Sequence, residues 1–253
     1  MSKRILITGG TGMVGSAFEN IETEHELILY GSATYNLLDQ QDVCDMIYRA
    51  RPDAIIHLAA RVGGVKGNSD FVADFFYENT IMNTNLLETA RLYKVPKVLS
   101  LLSTCVYPED PIYPLTEDQI HSGEPHQSAF GYAYAKRMLE VHSRAIRQQY
   151  GLKYITAIPN NIYGQNDNFS LETGHVVPAM IRKLHDAKLN GQKVKHWGTG
   201  TPKREFTYSK DIARALLLLV EHYEGVEPIN IGSPFEISIF NLAGLISEIL
   251  GCD

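Results

Sequence analysis

Five short apolar runs constrain this chain most: Ile5-Leu6-Ile7, Leu27-Ile28-Leu29, Ala54-Ile55-Ile56, Val98 to Leu102 and Tyr154 to Ile158. Each lacks a polar alternation, the pattern of a strand buried on both faces. The segments between them are longer and amphipathic. Val14, Ala17, Phe18 and Ile21 follow the spacing of one helix face, and Met138, Val141 and Ala145 do likewise ahead of the fifth run. Strand and helix in alternation predict an α/β fold, a Rossmann-like doubly wound parallel sheet with right-handed crossovers. From about Pro159 the alternation weakens, while Gly, Pro, Asn and aromatic residues increase. This predicts a Rossmann domain over 1–158 and a smaller C-terminal lobe over 159–253, some of whose strands and helices return to the first domain. The Pro-rich stretch from Pro108 to Pro125 reads as an ordered loop over the sheet, near the crevice at its carboxyl end.

Composition narrows the class. A chain of 253 residues, 44% hydrophobic and 21% charged, can bury a full core, which excludes disordered and collagen-like readings. Lys plus Arg number 23 against 29 Asp plus Glu, a formal charge of -6 that speaks against a general nucleic-acid binder. Cys44, Cys105 and Cys252 form an odd set without CxxC spacing, so neither a disulfide framework nor a metal site is encoded. The start has no apolar signal-peptide core, and Ala215 to Val220 is far too short to span a bilayer, so a cytoplasmic location away from membranes is expected. Residues 181–210 nonetheless hold eight basic residues and two acids. A locally positive lobe on an acidic protein suits a small polyanion such as a nucleotide diphosphate, bound between the lobes.

Gly9-Gly10-Thr11-Gly12-Met13-Val14-Gly15 follows the first strand directly and opens the first helix. Glycines at this spacing allow a tight turn, close approach of backbone to a pyrophosphate and close helix packing. Dinucleotide folds that use NAD place an acid at the end of the second strand, where it grips the ribose 2'-hydroxyl. Here that strand ends Tyr30-Gly31-Ser32-Ala33. With no carboxylate to repel a 2'-phosphate, NADP(H) is the expected cofactor.

Tyr132 and Lys136 stand four residues apart, on one helix face. An ammonium beside a phenol lowers its pKa, which predicts Tyr132 as a proton donor or acceptor at a carbonyl or alcohol. Tyr134 competes for the role but has no lysine one turn on. Ser103, at the carboxyl end of the fourth strand, supplies a second hydroxyl to the same oxygen.

The glycine motif, Ser103 and the Tyr132/Lys136 pair resemble the extended short-chain dehydrogenase/reductase superfamily. Further blocks resemble its GDP-L-fucose synthase family: Ser103 to Pro108, FGYAYAKRM from Phe130, IPNNIYGQNDNF from Ile158, GHVVPA from Gly174 and WGTGTPKREF from Trp197. The resemblance implies NADPH-dependent 3,5-epimerisation and 4-reduction of GDP-4-keto-6-deoxy-D-mannose, with Cys105 and His175 as the acid/base pair. It implies cofactor contacts from Gly9 to Gly15 and from Ser32, Leu101, Lys136, Pro159, Asn160, Asn161, Ile162 and His175. It assigns Lys183, Trp197 and Arg204 to the GDP-sugar, and it implies a homodimer. Where dehydratases of the superfamily carry an Asp-Glu pair this chain has Thr104-Cys105, which disfavours elimination of water.

The chain also departs from the pattern. Lys183 stands where the family often has Arg, so a point charge replaces a bidentate fork. Thr11 and Ser32 stand where some members carry Arg. The chain stops soon after Leu242, Leu245, Ile246 and Ile249 mark an amphipathic helix, and so reads as shortened at that end. Cys44 and Cys252 read as structural, and His121 and His126 as solvated. Alternatives are another sugar-nucleotide epimerase or reductase, which would not need Cys105 and His175, or a non-catalytic NADP sensor, which would not need the Ser/Tyr/Lys set.

Overall fold

The computed structural model describes residues 2–194 and 198–251, so Trp197 and Cys252 lie outside the described residues. In chain order the elements are β1 (Arg4–Thr8), α1 (Met13–Ser16), β2 (Glu26–Tyr30), α2 (Gln40–Ala50), β3 (Ala54–His57), α3 (Val65–Asp70), α4 (Val72–Leu92), β4 (Lys97–Leu101), α5 (Phe130–Tyr150) and β5 (Lys153–Pro159). There follow β6 (Asn161–Tyr163), α6 (Val176–Asn190), β7 (Lys203–Tyr208), α7 (Ser209–His222), β8 (Ile229–Ile231), β9 (Glu236–Ser238) and α8 (Ile239–Leu250).

All five apolar runs are strands of one parallel sheet, ordered β2-β1-β3-β4-β5-β8. Parallel strands alternate their side chains between two covered faces, and the apolar runs serve both. Leu6, Ile55, Val98 and Tyr154 pack with α2, α4 and α5. Ile5, Ile7, Ile56, Leu99 and Ile155 face the other way, onto Val14, Phe18 and α7. The chain leaves β1 toward β2 on one side and later returns to β3 on the other. This reversal opens a crevice beyond the carboxyl ends of β1 and β3.

Two local readings need correction. The helix expected before β5 exists, but Met138 and Ala145 are exposed and Val141 is only half-buried; the buried side carries Ala135, Leu139, Ser143 and Ile146. Small residues on that side let α5 approach α4 and the sheet closely, and a spacing rule alone does not rank two candidate faces. The loop 108–125 is ordered, with Pro108 bridged to Pro125, but it is tied to β8 rather than the crevice. The Glu117 carboxylate accepts the Asn230 N–H at 2.7 Å and the Leu115 carbonyl accepts the Asn230 side-chain amide.

Beyond Pro159, β6, β7 and β9 form a second sheet, covered by an apolar cluster of Val177, Met180, Leu184, Leu242 and Ile246 from α6 and α8. Of the apolar residues expected to mark one face of α8, Leu242 and Ile246 are buried in this cluster while Leu245 and Ile249 are exposed. From the same stretch α7 packs on the first sheet and β8 pairs with β5. Lys97 on β4 locks this return. Its buried ammonium donates to the carbonyls of Leu219 at 3.0 Å and Tyr223 at 2.8 Å, the C-terminal end of α7, where cations are favoured.

Lys97→Met should therefore keep the apolar stem, take a donor from two carbonyls, leaving that of Leu219 with only the Tyr223 N–H, and destabilise the protein by about 1–3 kcal/mol in denaturant unfolding. An unchanged midpoint would mean that the α7 terminus needs no partner there.

Candidate active site

The turn after β1 depends on what a side chain would strike. A Cβ on Gly15 would lie 2.2 Å from the Gly9 carbonyl oxygen, and one on Gly9, at φ +70, would lie 2.9 Å from the Ala59 nitrogen. A Cβ on Gly10 would meet Leu29 at 2.8 Å, so Gly10 belongs to the packing against β2 and does not line the crevice. Gly12 is different: its nearest neighbour would be the Gly9 carbonyl at 3.3 Å, leaving backbone open toward the crevice. The first helix is a single turn continued by a 3-10 segment, Ala17–Asn20.

The crevice widens into a cavity of about 1800 Å³. Gly9, Thr11, Gly12, Met13, Val14 and Gly15 line one end, together with Tyr30, Gly31, Ser32, Tyr35 and Asn36, none of them a carboxylate. Ser103, Thr104 and Cys105, just beyond β4, line the middle with Leu101 and with Tyr132 and Lys136 from α5. Pro159, Asn160, Asn161 and Ile162 follow where β5 ends, and His175, Lys183, Phe206 and Ile239 come from the second sheet's side. Tyr132 lines the cavity, whereas Tyr134 is absent from the lining and its ring lies under the Arg137 guanidinium at 5.5 Å.

Other expected residues stand elsewhere. Arg204 is exposed on β7 with its guanidinium donating to the Lys203 carbonyl, and it does not line the cavity. The Asn160 and Asn161 side chains are spent internally: Asn160 accepts from the Thr207 hydroxyl at 2.7 Å and donates to Ser233, while Asn161 donates to the Glu205 carbonyl. What these two positions offer a ligand is backbone. His121 is no free solvated ring, since it pairs with the buried carboxylate of Glu140 at 2.8 Å. His126 accepts the Ser128 N–H, and Cys44 is a half-buried free thiol.

The residues present fit a dinucleotide. The open Gly12 backbone suits a pyrophosphate, and the absence of a carboxylate from the lining around Ser32 tolerates a 2'-phosphate. Residues 5–232 match the NAD dependent epimerase/dehydratase family. The chain belongs to that family. It is 40% identical to the GDP-L-fucose synthase of Dictyostelium discoideum, an alignment covering 98% of this chain and 80% of the relative. It is 35% identical to the GDP-L-fucose synthase of Escherichia coli K12, covering 99% and 83%. The structure of a GDP-L-fucose synthetase from Naegleria fowleri bound to NADP superposes with a TM-score of 0.92 at 38% identity, covering 98% of this chain and 77% of that one.

The electrostatics of this epimerase/dehydratase site differ from the sequence expectation in one respect. Lys136 does not lower the Tyr132 phenol. Its ammonium donates to the Leu101 carbonyl at 2.7 Å and lies 5.7 Å from the Tyr132 ring centre. Burial, followed by the neighbouring Cys105, raises Tyr132 well above the ordinary phenol, so it holds its proton. Burial also pushes the Lys136 ammonium down to about 8 and the Cys105 thiol up to about 11. Against that, the Ser103 hydrogen bond and the Lys136 charge pull Cys105 downward.

Beneath the cavity is a group that periodicity could not reveal. His57, at the end of β3, is pushed down to about 3, by burial first and Lys136 second, and is neutral. Asn83 donates through its amide to the Ala135 carbonyl, so its Oδ1 accepts from His57 Nε2 at 3.0 Å. His57 Nδ1 then accepts from the Thr8 hydroxyl at 2.8 Å. The chain ties β1, β3, α4 and α5 together under Lys136. Arg61, which lines the cavity beside its partner Glu78, was equally invisible, because a lone arginine in a loop carries no pattern.

Tyr132→Phe should lower carbonyl reduction by about 10² to 10⁴ while NADPH affinity stays within twofold, because the lost group gives a proton and the cofactor rests on the glycine turn. Stopped-flow hydride transfer and a fluorescence titration measure the two. Turnover near that of the wild type would remove Tyr132 from the reaction.

Proposed function

We propose that this chain carries out the GDP-L-fucose synthase reaction: epimerisation of GDP-4-keto-6-deoxy-D-mannose at C3 and C5, then NADPH-dependent reduction at C4. The observation that carries the reading is the meeting of Ser103, Cys105, Tyr132, Lys136 and His175 around one cavity with the glycine turn. The turn and Lys136 hold NADPH, which supplies the hydride. Lys183 faces the sugar-nucleotide's diphosphate as a point charge.

A 4-keto group acidifies the hydrogens on C3 and C5, so a base removes one and an acid on the opposite face returns it. The enolate oxygen needs donors, and Ser103 and Tyr132 supply two hydroxyls. Cys105 enters as a thiol, with a proton to give. The high phenol pKa suits the second half of the reaction, because a Tyr132 that keeps its proton at neutral pH can deliver it to the oxygen formed when hydride arrives. In this direction a phenol already ionised in the resting state would be the wrong form.

Residues 159–253 act as the substrate lobe in this account, a division supported by the separate apolar cluster of α6 and α8. A homodimer is part of the same proposal. The exposed Tyr77 on α4 and Met138 on α5 support it, leaving apolar surface on the outer side of that helix pair. Among the described residues no helix is long and apolar enough to cross a membrane.

Incubation with GDP-4-keto-6-deoxy-D-mannose and NADPH should consume one NADPH per GDP-L-fucose, identified by NMR; an unchanged absorbance despite cofactor binding would refute the reading. Cys105→Ser replaces a thiol by a hydroxyl that hardly ionises, and it should abolish deuterium uptake from heavy water at one or both sugar carbons while NADPH still binds. Uptake at the normal rate at both carbons would make Cys105 a packing residue.

A further inference from the structure

His175 reaches the cavity from the N-cap position of α6, with nearly half of its side chain exposed. What stands behind it is Asp167, whose side chain is only 6% exposed and whose Oδ1 lies 3.8 Å from His175 Nδ1. The loop between them is built to hold this approach. Asn168 donates to the Thr173 hydroxyl at 3.0 Å and accepts the Ser170 N–H at 3.0 Å, and the Gly174 N–H closes the turn on the Ser170 carbonyl. A Cβ on Gly174 would lie 2.3 Å from the Asn168 carbonyl oxygen and 2.5 Å from that of Ser170. Only glycine lets the chain fold back so tightly, and the next residue is His175.

Packing explains one oxygen of the carboxylate and not the other. Oδ1 accepts the Asn168 N–H at 2.7 Å, an ordinary loop bond. Oδ2 is buried with no hydrogen-bond partner among the described residues. A buried carboxylate oxygen is costly to leave unsatisfied, so its retention next to a half-exposed imidazole calls for a donor. At 3.8 Å the pair is short of a hydrogen bond, and a modest rotation of the exposed ring closes it, as commonly happens when a catalytic pair engages its substrate.

We propose that Asp167 is a positioning residue that holds the Nδ1–H of His175, leaving Nε2 to exchange its proton with the sugar; this rests on the function proposed above. In one direction the C–H bond breaks and its proton passes to the Nε2 lone pair. In the other, Nε2–H gives its proton to the enolate carbon and recovers the lone pair. Nδ1 keeps its own proton in both, and the Asp167 carboxylate stays ionised, balancing the charge while the ring carries two protons. A free imidazole prefers the opposite tautomer, with its proton on Nε2, so the carboxylate decides which nitrogen is available.

The test reads the tautomer directly. In protein labelled with ¹⁵N-histidine, the His175 ring signals are identified by their loss in His175→Gln. With the ring neutral, the wild type should carry its proton on Nδ1, and Asp167→Ala should move it to Nε2. Asp167→Asn keeps the shape and the loop bond. It should lower deuterium exchange at one sugar carbon on the order of 10²-fold with NADPH affinity within twofold of the wild type, which also shows that the variant is folded. An Nε2–H tautomer in the wild type, or a tautomer unmoved by Asp167→Ala, overturns the proposal, as does normal exchange at both carbons in Asp167→Asn. Should the wild type leave the GDP-sugar unchanged, the functional reading falls, and the tautomer measurement decides Asp167 independently.

Discussion

The contact between Gly15 and the Gly9 carbonyl, where even one added carbon would sit 2.2 Å from the oxygen, sets the mouth of the cavity. It brings the start of the first helix onto the end of β1, while Gly9 is pressed against Ala59 beyond β3. With those two strand ends held together, the parallel register of β3, β4 and β5 carries the remaining groups to the same edge. Ser103 and Cys105 follow β4, Pro159 ends β5, and the His57 hydrogen-bond chain keeps β1 and β3 aligned beneath them. A sheet with one antiparallel strand at this point would deliver its loop to the opposite edge.

Burial sets the chemistry that this edge performs. A phenol raised by desolvation, a thiol pushed up to about 11 and an ammonium pushed down to about 8 line one cavity. All three shifts favour the uncharged form, so the phenol and the thiol keep their protons at neutral pH and have them available on oxygen and sulfur. Such a site stabilises charge as it develops on the substrate oxygen more effectively than a solvated one would.

Much of this was legible in the sequence because it depends on period and spacing. Short apolar runs marked the first five strands, all in the parallel sheet, and Gly9-x-x-Gly12-x-x-Gly15 marked the turn, since both are local requirements. The lysine effect on Tyr132 was misread because a four-residue spacing places two side chains on one face without saying where the ammonium goes, and a backbone carbonyl of β4 claims it. The buried face of α5 was misread because two overlapping faces carry apolar residues at helical spacing, and Leu139 and Ile146, with the small residues Ala135 and Ser143, are the ones that are buried. Arg204 was assigned to the GDP-sugar from its sequence block, but its guanidinium donates to the neighbouring Lys203 carbonyl and it does not line the cavity. His57 and Arg61 had no sequence signal, because their roles arise from residues brought together across long separations, and Asp167 lay unremarked inside the block from Ile158 to Phe169.

The central claim is that one cavity first exchanges protons at two carbons and then delivers hydride to a third. It is tested most directly by running the wild-type reaction to completion in heavy water with unlabelled GDP-4-keto-6-deoxy-D-mannose and unlabelled NADPH, then reading the product sugar by NMR. The account predicts GDP-L-fucose with deuterium at C3 and C5 and protium at C4. A reduced sugar that keeps protium at both C3 and C5 would contradict it, leaving a reductase without the epimerase.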